Sequence, residues 1–167
     1  MPCLGVLFAL TETEATALSA LPGHVARVNH VKEVLEPAAF DGHPSRLAEV
    51  DQAWDPIHRS LTDGRLANDN GAYPLNATIL GGEPLHERGD YIMWLKPPGM
   101  VHDVAEALRQ LSVDRLHAGY AKITPDDYGM PTSADDLSFT LQWFDGLPAF
   151  YARAAAAGDW VLFTVDQ

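Results

Sequence analysis

The chain predicts an α+β fold: one compact domain over residues 1–167, with several helices packed around a small sheet of about three or more strands. Two observations predict it. Short apolar runs rich in strand-forming residues lie near the start, middle and end of the chain. Between them, apolar residues recur at helical spacing. The length, a hydrophobic fraction of 47% and a charged fraction of 20% supply one core and argue against disorder.

Cys3–Leu10 reads as a buried strand. Thr11 or Thr13 can cap a short helix running to Leu21, which Pro22-Gly23 ends. His24–Phe40 fits neither period. Asp41-Gly42-His43-Pro44 is a turn, after which Ser45 can cap a helix from Arg46 to Leu61. Asp63-Gly64 and Asp69-Asn70-Gly71 bracket a polar, exposed loop, and Pro74–Leu80 is a short helix with Gly81 behind it. Asp90–Lys96 is the second strand. Pro97-Pro98-Gly99 then resets the chain into a helix carrying Val101, Val104, Ala105, Leu108 and Leu111. Ser112 caps a helix to Tyr120, and Thr124–Thr132 is a loop or a single turn. The longest helical pattern is Asp135–Ala157, interrupted by Gly146 and Pro148, so a kink or two nearly coaxial pieces are expected. Its stripe of Leu137, Leu141, Phe144, Leu147 and Tyr151 suits core packing better than a ligand box. Asp159–Asp166 is the last strand.

The net charge is −12, from 23 acidic and 11 basic residues spread evenly between the two halves. Such a surface repels nucleic-acid backbones and suits a basic protein partner. Cys3 is the only cysteine, which excludes an intrachain disulfide and a cysteine-rich zinc site. The seven histidines show no metal-ligand spacing, and no cofactor motif is present. No segment has the length for a membrane span, so a cytoplasmic location is the expectation.

The sharpest local feature is the Asp51–Thr62 segment. On one helix, Leu47, Val50, Trp54, Ile57 and Leu61 would form a core stripe, with Asp51, Asp55, His58 and Thr62 aligned beside it. A histidine flanked by carboxylates can serve as a general base, because the acid orients the ring and stabilises its protonated form. The competing account is architectural: Asp55 caps a helix whose first residue is Pro56, and His58 fills the junction. The second feature is Leu80-Gly81-Gly82-Glu83-Pro84, a helix stop running into a turn, from which Glu83 could approach His58.

These pieces together resemble the YfbM-like family of bacterial proteins of unknown function. They are the Cys3–Leu10 strand, Asp51-x-x-Trp54-Asp55-x-Ile57-His58-x-x-Leu61-Thr62, Ile79-Leu80-Gly81-Gly82-Glu83-Pro84, Val101–Leu111, and Phe144–Gly158 running into the last strand. Pro56, and Gly146 with Pro148, depart from the pattern. The resemblance implies a compact α+β domain of a bacterial cytoplasmic protein, and it brings no catalytic residue with it.

Two functional expectations follow. The first is an interaction or regulatory module, such as an immunity-like partner of a basic protein. The alternative is a small enzyme or small-molecule binder. His58, Asp55 and Glu83 would be its catalytic candidates, and Asp51, Trp54 and Thr62 its ligand-binding candidates.

Overall fold

The computed structural model of the chain describes residues 3–86 and 91–166. Five antiparallel strands form one sheet in the order β2-β1-β5-β4-β3: β1 Leu4–Leu10, β2 Leu47–Asp51, β3 Glu83–His86, β4 Tyr91–Lys96 and β5 Trp160–Asp166. The three apolar runs are the three central strands. They are apolar throughout because both faces of the sheet are covered. On one face Leu7, Ala9, Trp94, Val161, Phe163 and Val165 meet the larger core. On the other, Phe8, Leu10, Met93, Leu95 and Leu162 meet a second core.

The second core is closed by α1 (Glu12–Ala20), α2 (Gly23–His30) and α3 (Glu36–Gly42). Thr11 caps α1 reciprocally with Glu14. The ambiguous 24–40 stretch is helical, with a π-helical turn at Val31–Leu35 joining α2 to α3. Pro37 explains it: it has no N–H to give the Glu33 carbonyl, and the ladder resets with the Glu36 N–H bonding Val31 O.

The larger core is closed by α4 (Trp54–Leu61), α5 (Pro98–Gln110), α6 (Val113–Tyr120), α8 (Ala134–Phe144) and α9 (Leu147–Ala157). A single turn, α7 (Pro125–Tyr128), precedes α8. The long pattern breaks at Asp145-Gly146, as its glycine and proline require.

Four local expectations fail. Arg46–Leu61 is not one helix capped by Ser45: Leu47–Asp51 pairs with β1, because the open edge of that buried strand outweighs local propensity. Nor does Asp55 cap a helix beginning at Pro56. Helix α4 begins at Trp54, and the Asp55 side chain turns to Arg59 one turn on. Pro74–Leu80 contains only a 3₁₀ turn, Leu75–Ala77. The 63–71 loop is not uniformly exposed, since Asn70 is buried and its amide bonds Thr62 Oγ1 and Arg65 O.

Gly5 shows why β2 and α4 sit so close to β1. A Cβ there would stand 2.8 Å from Trp54 Cβ and 2.9 Å from Val50 Cγ2.

Candidate functional site

The strand-to-helix corner at residues 51–54 builds one wall of a cleft. Asp51 ends β2 with φ 48°, a left-handed conformation uncommon outside glycine, and its Oδ1 accepts the Gln52 N–H at 2.6 Å. The corner delivers Trp54 and Asp55 to the start of α4. Trp54 leans on Phe163 with ring centroids 6.0 Å apart and donates Nε1–H to Cys3 O at 3.1 Å. Opposite stand Tyr128 and Met130 from α7 and the segment behind it, and Asp136 and Phe139 from α8. Together these residues enclose about 320 Å³.

Behind this wall lies Arg59, 3% exposed. Its Nε donates to Asp55 Oδ1 at 2.5 Å, and its Nη1 donates to Asp127 Oδ2 and, at 3.3 Å, to Gly64 O. Its Nη2 donates to Asp127 O at 3.3 Å, and the guanidinium sits 5.4 Å from the Tyr128 ring centroid. All three nitrogens of the guanidinium thus donate, and α7 is tied to α4. Asp136 accepts from two phenols, Tyr128 at 3.2 Å and Tyr120 at 2.5 Å. Burial, reinforced by the Asp136 carboxylate, pushes the Tyr120 hydroxyl up to about 12 and raises Tyr128 further. Both rings therefore remain neutral donors. Burial also raises the Asp55 carboxyl, against the opposing pull of Arg59. Asp55 lines the cleft, and its Oδ2 makes no hydrogen bond to the described residues. No lysine or arginine lines the cleft among the described residues.

The residues singled out in the sequence are only partly brought together. Trp54 and Asp55 line the cleft, with Asp51 next to Gln52 on its rim. His58 is 1% exposed, packed inside α4, with its Nε2 2.6 Å from Ala67 O. Nε2 therefore carries the proton, and burial pushes the imidazole below its ordinary value. Thr62 is buried and donates to His58 O at 2.9 Å. Glu83 stands exposed on the edge strand β3, paired with Leu95, and lines no part of the cleft. Nothing in the local sequence marks Tyr128, Asp136 and Phe139, which lie on a single helical turn and on a helix. Only the tertiary fold sets them opposite Trp54. Cys3, half-buried, also lines the cleft.

A second cavity, of about 300 Å³, shares Trp54 and is lined by Leu66, Ala67, Leu80, Ile92 and Trp94. Among the described residues no group of three or more His, Cys, Asp or Glu could hold a metal ion, and no helix is long and apolar enough to cross a membrane.

Comparison with known proteins places this geometry in a family without assigning it a role. The family model described as a domain of unknown function (DUF1877) matches residues 1–164. The crystal structure of YfbM from Escherichia coli, a protein of unknown function, superposes with a TM-score of 0.61 at 20% identity, covering 97% of this chain and 99% of that one. No curated protein matches the chain significantly.

Proposed function

We propose, for a chain that belongs to the DUF1877 family, a binding role without chemistry of its own: the cleft between α4, α7 and α8 receives a cationic side chain of a basic partner protein. One observation carries the reading. Trp54, Tyr128, Phe139 and Asp55 line one cleft, and the nearby Arg59 is committed to Asp55, Asp127 and the Gly64 carbonyl. Aromatic faces and a partly desolvated carboxylate are the chemistry that holds an ammonium or guanidinium. The exposed Met130 and Phe139 at the rim add apolar contact, and a net charge of −12 speeds encounter with a basic surface. His58, buried and bonded to backbone, argues against general-base catalysis at this place.

A free organic cation in the same cleft is the second reading, favoured by a volume within the range of small-molecule sites. An Arg-Gly repeat peptide titrated against tryptophan fluorescence tests the primary proposal. Saturable binding is expected. It should weaken with salt and be lost in Phe139→Lys, a rim change that leaves the core untouched. Binding that survives Phe139→Lys unchanged, or absence of binding at millimolar peptide, overturns it. A preference for small amines over the peptide selects the second reading.

A further inference from the structure

Residues 62–82 form a long connection containing a single 3₁₀ turn, Leu75–Ala77. Three buried side chains fasten it to the body through its backbone carbonyls. His58 of α4 donates Nε2–H to Ala67 O at 2.6 Å, and Lys96 of β4 donates Nζ–H to Ile79 O at 2.7 Å. Tyr151 of α9 donates its hydroxyl to Thr78 O at 2.5 Å. The segment walls the 300 Å³ cavity with Leu66, Ala67 and Leu80, opposite Trp54, Ile92 and Trp94. Paired glycines with positive φ, Gly81 at 125° and Gly82 at 94°, end it where β3 begins.

Lys96 is the unusual member. It is 0% exposed, and among the described residues its Nζ meets one carbonyl and, at 5.8 Å, the face of Phe163. An ammonium carries three donors and accepts nothing. One carbonyl and one ring face leave at least one N–H of the ammonium unmet, whereas both N–H donors of a neutral amine are met there. The charged groups around it do not help. His58 and Arg59 of α4 add only positive or neutral character, and Tyr151 is a neutral phenol. On the segment itself Asp63 is exposed and paired with Arg65. No carboxylate of the described residues pairs with Lys96.

We infer that residues 62–82 are a strap latched by uncharged Lys96, and that protonation of this amine releases the strap and frees Ala77, Ile79 and Leu80 from the larger core. Burial brings Lys96 down from 10.5 to about 7, so the closed state excludes a proton that the open, hydrated state takes up. The sign follows by linkage. Below pH 10.5 the open state is protonated and the closed state is not, so opening gains about tenfold per pH unit as pH falls toward 7. Below 7 both states carry the proton and the effect levels off. His58, also lowered by burial, adds a second, smaller step under its ordinary value of 6.5.

Hydrogen exchange of strap amides between pH 6 and 9, corrected for intrinsic rates, tests the latch. Protection in 62–82 is expected to fall about tenfold per unit from 9 to 7 and then flatten, at opening free energies below those of β1 and β5. In Lys96→Met the dependence between pH 7 and 9 should vanish. Strap and sheet amides exchanging together, or a flat profile in the unmodified chain, overturns the proposal. Should Lys96→Met fail to fold, the Lys96 side-chain NMR titration in the unmodified protein decides. A midpoint near 7 upholds the latch, and one in the ordinary lysine range refutes it.

Discussion

Replacing Arg59 by Met keeps the aliphatic stem and removes the guanidinium that ties α4 to α7. Breaking a buried pair costs about 3–5 kcal/mol where the orphaned partner stays dry. Here the partners differ. The Asp127 side chain is 53% exposed and simply rehydrates, so its share is under about 1 kcal/mol. Asp55, 22% exposed, keeps more of the penalty, and the buried Gly64 carbonyl loses a donor worth about 1 kcal/mol. The sum is a destabilisation of about 2–4 kcal/mol, read as a lower urea midpoint with an unchanged slope. Double-mutant cycles apportion it. Arg59→Met with Asp127→Asn should couple by less than about 1 kcal/mol, and Arg59→Met with Asp55→Asn by about 1.5–3 kcal/mol. The reasoning is refuted if the Asp127 coupling equals or exceeds that of Asp55, or if Arg59→Met costs less than about 1 kcal/mol.

Other expectations concern single contacts. Gly119→Ala would put a Cβ 1.8 Å from Ser60 O where α6 crosses α4, and should cost about 3 kcal/mol or more in thermal or chemical unfolding. Thr11→Ala removes the α1 cap shared with Glu14 and should cost about 1 kcal/mol, measurable by the same unfolding curves. Lys96→Met should raise stability most at pH 7 and below. The 10.5-to-7 displacement corresponds to roughly 5 kcal/mol, offset by about 1–3 for the unpaired Ile79 carbonyl. The gain should shrink steadily from pH 7 to 10.5, so stability curves that stay parallel over that range contradict it.

What could be read in the sequence follows a physical division. Strands β1, β4 and β5 announce themselves because burial on two faces demands unbroken apolar runs. The helix break at Gly146-Leu147-Pro148 is written in local chemistry. The edge strands are not so marked. Leu47-Ala-Glu-Val-Asp would serve equally in a helix, and only the neighbouring edge of β1 makes it a strand. Glu83–His86 likewise owes its form to β4. The site divides in the same way. Trp54 and Asp55 belong to the Asp51–Thr62 motif that the sequence marks, but their companions Tyr128, Asp136 and Phe139 lie more than seventy residues on and meet them only in the folded chain. His58 drew attention as a base flanked by acids. In the fold it turns inward to Ala67, and Asp55 turns to Arg59.

The cleft as a cation site is tested most directly by amide NMR of the protein titrated with arginine amide and, in parallel, citrulline amide, its uncharged isostere. Saturable shifts with arginine amide are expected at residues around Trp54, Tyr128 and Phe139, with little response to citrulline amide. Equal responses to both, or shifts scattered over the acidic surface and absent from the cleft, would contradict the assignment.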